Sequence, residues 1–297
     1  DPCCGSGGML VKCLDYLRNK GEEWQSVQVF GQEVNGLTSS IARMNLYLNG
    51  VEDFSIACAD TLENPAFLDG SHLRKFDIVL ANPPYSIKEW NREKFMNDKW
   101  GRNFLGTPSQ GRADYAFIQH ILASMNDENG RCAILLPHGI LFRNEEKEVR
   151  TNLVKSDLLE AVIGLGPNLF YNAPMEACIL FCNKNKDRER KNRITFINAV
   201  KEVTRKNAES YLEQHHIEKI LHAFHSQEDI EQFKLSISTD DIANKDFDLS
   251  IQKYVFIKDA EVEEISFSSA ISRWLNSQKE VHVQYITLMD LLSNDKI

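Results

Sequence analysis

Residues 75–86 read KFDIVLANPPYS, an apolar, β-rich run cut off by two consecutive prolines. Proline fixes φ and has no backbone N–H, so it cannot continue the interior of a sheet. The run is therefore a strand that ends near Ala81. The turn after it offers acceptors, the Asn82 side-chain oxygen and the Pro83 carbonyl, and few donors. In isolation the same four residues fit an ordinary proline turn, and the surrounding chain has to decide.

Working outward, MLVKCLDYLRNK has helical spacing and stops before Gly21, VQVFGQE reads as a strand, and LTSSIARMNLYLNG is a helix closed by Gly50. FSIACADTL is a strand ending at Asp60, YAFIQHILASM is helical, and RCAILLPHG, LLEAVIGL and EACILFCNK are strands separated by the helix NEEKEVRTNLVK. Strands rich in Val, Ile and Leu that alternate with helices predict an α/β domain over residues 1–200, a doubly wound, mostly parallel, Rossmann-like sheet covered on both faces. Residues 201–297 predict a C-terminal extension of mixed and helical character.

In such sheets ligands sit beyond the carboxyl ends of the strands, so the strand ends were collected. They are the glycine loop DPCCGSGG of residues 1–8, Glu33, Asp60, and Asn82-Pro83-Pro84-Tyr85. The loop lacks the lysine and hydroxyl of a P-loop, and G-x-G-x-x-G fails because Leu10 stands where the last glycine belongs. An acid, Asp1, stands at its mouth, which disfavours phosphate and favours a cation. Glu33 suits the two hydroxyls of a ribose, and Asp60 an adenine amino group. S-adenosylmethionine meets all three conditions: it carries adenosine, a sulfonium and an ammonium, and no phosphate. A planar amino group held between the two acceptors of the proline turn loses conjugation with its ring and can attack a methyl carbon, while Tyr85 supplies a ring for stacking.

Composition narrows the class. The 297 residues are 42% hydrophobic with a net charge of −9, which argues against a general nucleic-acid coat protein. Charge is nevertheless uneven. Residues 86–113 hold six basic side chains, Lys88, Arg92, Lys94, Lys99, Arg102 and Arg112, against three acids, with Trp90 and Trp100 among them. Residues 184–206 are also basic, and the chain from 228 onward is acidic, a surface suited to docking protein rather than DNA. No run of 18 apolar residues predicts a membrane span. The seven cysteines form no C-x-x-C pair, and Cys178 and Cys182 fall in an apolar strand, so a reducing, cytoplasmic setting and no metal site are expected.

Together, DPCCGSGG, FGQE, ADTL, NPPYS, ADYAFIQHIL, RCAILLPHGILFRNEEKEVR and LFYNAPMEACILFCNK resemble, in order, the motif blocks of the modification (M) subunits of type I restriction-modification systems, a family of N6-adenine DNA methyltransferases. The resemblance covers most of residues 1–200 and implies transfer of a methyl group from S-adenosylmethionine to an adenine flipped out of double-stranded DNA. It implies catalytic roles for Asn82, Pro83, Pro84 and Tyr85 and base stacking by Tyr85 and Phe170. It implies cofactor contacts from Asp1, Pro2, Cys4, Gly5, Ser6, Gly7, Gly8, Glu33, Asp60, Thr61, Leu62, Asn82 and Asp114. Phe170 equally suits a place in the core, and Asp114 a helix cap. The six bases of residues 86–113 become candidates for the DNA backbone. The implied partners are a specificity (S) subunit, a second M subunit and a restriction (R) subunit, with the C-terminal extension as docking region. Cys3 stands where the family has a small residue such as alanine. The helical region and first strand that the family carries ahead of the loop have no counterpart, so the sequence reads as a fragment. NPPY turns also serve methyltransferases of RNA and of protein glutamine, and a non-catalytic interaction module is a third reading.

Overall fold

The computed structural model describes residues 1–170, 175–206 and 209–256, and a scatter of helical positions between 271 and 285. After the glycine loop come α1 (Gly8–Asn19), β1 (Val29–Glu33), α2 (Gly36–Leu48), β2 (Phe54–Cys58), the short hairpin of β3 (Leu68–Asp69) and β4 (His72–Leu73), and β5 (Ile78–Ala81). Then follow α3 (Arg92–Met96), α4 (Asp114–Ser124), β6 (Arg131–Pro137), α5 (Lys147–Lys155), β7 (Leu159–Leu165), β8 (Ala177–Asn183) and β9 (Arg193–Ala199). The hairpin of β10 (Thr204–Lys206) and β11 (Glu209–Tyr211), α6 (Gln214–His225), β12 (Lys234–Ser238) and α7 (Thr239–Asn244) complete the series.

Six strands form one sheet in the order β12-β9-β7-β8-β6-β5. By direction it is mostly parallel, as expected: β5 pairs parallel with β6 and β7 with β9. The exceptions are β8, which lies antiparallel between β6 and β7, and β12, antiparallel at the edge. β1 and β2 pair parallel as a separate ribbon. A groove of about 560 Å³ parts this ribbon from β5, walled by Val29, Phe30, Phe67, Phe76 and Val79.

Alternation along the strands sends side chains to two faces. On one, Val162 and Phe196 meet Ile118, Ile121 and Leu122 of α4 and Leu153 of α5. On the other, Ile163, Leu165 and Ile197 meet Ile220 and Ala223 of α6. Every residue of β7 is buried, as a strand covered on both faces requires. The expected boundary at residue 200 is corrected: β12 belongs to the main sheet, Leu249, Ile251 and Tyr254 join its core, and the first compact unit runs from Asp1 to Phe256. The second unit is Ile257–Ile297. Its described residues, among them Ile271, Trp274 and Leu275, are helical, in keeping with the helices expected there, while the rest of it lies outside the described residues.

The ribbon has its own core of Leu10, Val11 and Leu14 from α1 and Ala42 and Leu46 from α2. Gly31, at the centre of β1, admits the glycine loop against the strand: a Cβ there would lie 2.6 Å from Ile56 Cδ1 and 2.9 Å from Cys4 Sγ. Gly31→Ala therefore overpacks the joint between loop and ribbon, at a cost of about 1–3 kcal/mol. A thermal melt should show a Tm lower by several degrees; an unchanged Tm would mean that Ile56 swings clear without penalty.

Candidate active site

The glycine loop is held by hydrogen bonds from end to end. Cys4 N donates to Gln32 O and Gln32 N to Asp1 O, both at 2.9 Å, so the loop begins alongside β1. Gly5 and Gly7 have φ of 53° and 77°, left-handed values that glycine adopts without strain. Gly7 caps α1 and is buried against Ala42 of α2. Glu33, at the end of β1, accepts from Gly5 N at 3.1 Å through Oε2 and from Asn35 N at 2.9 Å through Oε1. Asp1 turns one carboxylate oxygen to Cys3 N at 2.9 Å, and Asn45 Nδ2 donates to Ser6 O at 3.1 Å. Ser6 and Gly8 remain exposed, while Pro2 is half-buried and Cys4 buried.

Asp60, after β2, is exposed, and its Oδ1 accepts from Leu62 N and Glu63 N at 2.8 and 3.0 Å. Its Oδ2 takes no hydrogen bond among the described residues. Thr61 and Leu62 are buried, with the Thr61 hydroxyl on Pro2 O and the Leu62 side chain packed with Phe95 and Phe117. They tie the strand end to the loop and to the following insertion, so their side chains support the site instead of lining it, a correction to the sequence expectation.

β5 ends at Ala81, and the proline turn follows as the sequence requires. Asn82 is exposed, Pro83 buried, Pro84 exposed and Tyr85 half-buried. Among the described residues neither the Asn82 side-chain amide nor the Pro83 carbonyl makes a hydrogen bond. The turn sits against the glycine loop, with the Asn82 backbone facing the Cys3 thiol, whose pKa burial pushes up to about 12. Burial, then the charges of Cys178 and Asp114, pushes the Tyr85 phenol up to about 12, and its buried Oη has no partner among the described residues. Loop, Glu33, Asp60 and the proline turn share one end of the fold, as the strand-end reading predicted.

Other assignments move. Asp114 is the first residue of α4 and not its cap; its fully buried carboxylate accepts from Ser86 N at 2.8 Å and from Arg143 Nη1 at 3.2 Å, so it holds the proline turn instead of shaping the methionine pocket. Phe170 is half-buried and packs with Ile163, Leu165 and Ile197, which is its core alternative; Tyr171 to Pro174 of the same block lie outside the described residues.

Of the six basic candidates, Lys88, Lys94 and Lys99 are exposed, although Lys94 pairs with Glu63 at 3.2 Å and Lys99 lies over the Trp100 ring. Arg92 and Arg112 are half-buried, on Pro108 O and Ser86 Oγ. Arg102 is 0% exposed and therefore no DNA contact. Its guanidinium bonds Asp98 at 2.6 Å and donates to Thr61 O and Leu62 O at 2.9 and 2.8 Å. His120 lies 3.3 Å away; burial, then the Arg102 charge, lowers its pKa to about 3 and keeps it neutral. Gln32, Arg143 and Glu146 were missed. Gln32 was legible as a polar residue in an apolar strand, and it spans Ala59 O, Asn64 O and Ala66 N. Arg143 and Glu146 carry no local signal.

A strand-end turn of unclaimed acceptors, set against a glycine loop and flanked by two strand-end carboxylates on a mostly parallel sheet, defines a Rossmann-like methyltransferase. The chain belongs to the N-6 DNA methylase family, whose model matches residues 1–263. It is 33% identical over 296 residues to the type I restriction enzyme MjaVII methylase subunit of Methanocaldococcus jannaschii, covering 94% of this chain and 49% of that protein. It is 32% identical to the MpnII methylase subunit of Mycoplasma pneumoniae, covering 100% and 55%. The crystal structure of a type I restriction-modification methyltransferase subunit from Streptococcus thermophilus superposes with a TM-score of 0.79 at 36% identity, over 86% of this chain and 53% of that one. The chain thus spans about half the length of these relatives.

Because Arg102 is the buried counterion of Asp98, whose side chain is 1% exposed, Arg102→Ala strands a charge and should cost about 3–5 kcal/mol. Denaturation should show a Tm drop on the order of 10 °C, whereas Lys88→Ala should leave Tm nearly unchanged. Equal, small effects would refute the anchoring role.

Proposed function

We propose that this chain carries the catalytic domain of a type I modification subunit, which methylates the N6 amino group of adenine in double-stranded DNA. The observation that carries the reading is the pair of acceptors, Asn82 Oδ1 and Pro83 O, left without hydrogen bonds among the described residues on a turn at the end of β5 that faces the glycine loop. The relatives named type I methylase subunits support the same reading.

The residues fit S-adenosylmethionine. Glu33 keeps a lone pair on each oxygen for ribose hydroxyls beyond the amides it accepts from, Asp60 Oδ2 suits the adenine amine, and Asp1 with the open backbone at Gly5 suits the methionine end. When bound, S-adenosylmethionine supplies a methyl carbon activated by sulfonium, which the N6 lone pair displaces from sulfur. The target adenine has to leave the stack at a cost of a few kcal/mol. Asn82 Oδ1 and Pro83 O accept hydrogen bonds from the two N6–H groups, localise the lone pair on nitrogen and aim it outward. Pro83 and Pro84 keep competing amides away from these acceptors. Tyr85 stacks on the base, with Phe170 as second ring or as core support. Neither acceptor is a base at neutral pH, so the proton released after transfer goes to water. Lys88, Lys94 and Lys99, with Arg92 and Arg112 behind them, form the surface for DNA phosphates, and binding falls with salt. Sequence recognition comes from a specificity subunit, in a cytoplasmic assembly with a second modification subunit and a restriction subunit, docked through the C-terminal extension.

Transfer of labelled methyl to DNA, in the presence of a specificity subunit, tests the reading; label on RNA or on a glutamine peptide instead of DNA would overturn it. Asn82→Ala should lower kcat by roughly 10²–10³ with cofactor affinity retained in calorimetry. Tyr85→Phe should stay active, since Oη makes no hydrogen bond among the described residues. Tyr85→Ala should lose stacking worth about 1–3 kcal/mol, seen as a higher KM for DNA.

A further inference from the structure

Immediately after the catalytic turn the backbone takes an unusual step: Ser86 has φ of 53°, a left-handed value that side chains other than glycine rarely adopt. Something must hold it there. Asp114 Oδ1 accepts from Ser86 N at 2.8 Å, and Oδ2 lies 3.5 Å from the Ser86 hydroxyl, which itself accepts from Arg112 Nη1 at 2.9 Å.

A carboxylate as buried as Asp114 needs a counterion, and Arg143 supplies it at 3.2 Å. Arg143 comes from the turn after β6, on a different part of the chain. Its guanidinium also lies 3.4 Å from Glu146 Oε2. Burial pushes the Glu146 carboxyl up to about 7, and its Oε1 has no partner among the described residues, so Glu146 competes weakly for this cation. The guanidinium rests on Gly139, where a Cβ would lie 2.5 Å from Nη2 and 2.6 Å from Nε. Arg150 fixes the main chain beneath by donating to Arg143 O at 2.8 Å and to Phe247 O at 2.9 Å.

We propose that Arg143 is a positioning residue for methyl transfer: seated on Gly139, it holds Asp114, and Asp114 clamps Ser86 in its left-handed conformation and so fixes the Asn82-Pro83-Pro84-Tyr85 turn. The proposal rests on the methyl-transfer reading given above. The turn is then held at both ends, by β5 before it and by the Asp114 clamp after it. The clamp reaches neither substrate nor cofactor and acts through the aim of the acceptors. Misplacing a reacting group by about 1 Å costs on the order of 10²-fold in rate, so a loosened clamp shows in kcat before it shows in affinity.

Gly139→Ala is the informative substitution, because it pushes the guanidinium off Asp114 while leaving every charged residue in place, and the Gly139 backbone does not need a positive φ. Amide hydrogen exchange on the full chain should show the 82–90 peptide exchanging at least about tenfold faster, with the β6 peptide 131–137 unchanged. With a specificity subunit and DNA, kcat should fall about 10- to 100-fold while KM for DNA and cofactor affinity move less than about threefold. Arg143→Lys, which keeps the charge but loses the reach of the guanidinium and its seat on Gly139, should show the same pattern and replaces Gly139→Ala if that variant melts early. Unchanged exchange at 82–90 in a variant that folds overturns the proposal, as does a loss of cofactor affinity and Tm in proportion to kcat, the mark of a merely structural role. Faster exchange at 82–90 with no methyl transfer by the parent complex supports the clamp and overturns the methyl-transfer reading instead.

Discussion

Two prolines in succession at a strand end remove the donors that would otherwise satisfy the acceptors around them, and the active-site architecture follows from that constraint. β5 delivers the chain to Asn82 at the rim of the sheet, and the turn cannot be stabilised by hydrogen bonds of its own. Its order has to be imposed from outside, by the Cys3 thiol against the Asn82 backbone and by Asp114 on Ser86 N. A turn ordered from outside keeps its acceptors free for a substrate. A turn ordered by internal hydrogen bonds would have consumed them.

Holding it takes charges in places where charges are costly. Arg102 with Asp98 and Arg143 with Asp114 are ion pairs whose acids are 1% exposed or less. Such pairs gain little over apolar packing in net stability, because desolvation offsets most of their attraction. What they supply here is geometry. Arg102 joins the end of β2 to the insertion of residues 86–113 through two carbonyls that no apolar side chain could grip. That insertion, basic in sequence, is packed onto α4 through Phe95 and Ala113. Its remaining exposed lysines therefore stand on an ordered platform beside the proline turn.

The elements were legible in the sequence because burial on both faces writes continuous apolar runs. Counting where those strands end also brings Glu33, Asp60 and Asn82 to one end of the fold, where the structure places them. What was not legible depends on tertiary partners. Nothing in ACILFC distinguishes a parallel strand from an antiparallel one, and β8 is antiparallel because it returns directly beside β7. Nothing local separates Arg102, fully buried, from Lys99, exposed three residues earlier; the difference is the carboxylate of Asp98 and two carbonyls some forty residues back. Asp114 was read from its place at a helix start, which suggests a cap, while its partner Arg143 lies 29 residues on. The boundary at 200 failed for a similar reason: the edge strand β12 completes the sheet from beyond an intervening helix, and α/β alternation had already lapsed there.

Glu33 shows how the two halves of the site are coupled. Each of its oxygens holds one backbone amide, Gly5 N and Asn35 N, so the acid orders the glycine loop and the start of α2 without any ligand. An ionised carboxylate offers about four acceptor sites, so two remain open. The same side chain therefore builds the loop and keeps acceptors free beside it, and the loop is ordered without a ligand. The loop in turn presents Cys3 to the Asn82 backbone. A disturbance at Glu33 would consequently reach the proline turn through the loop as well as the start of α2, and substitutions at Glu33 and Asn82 would not be additive.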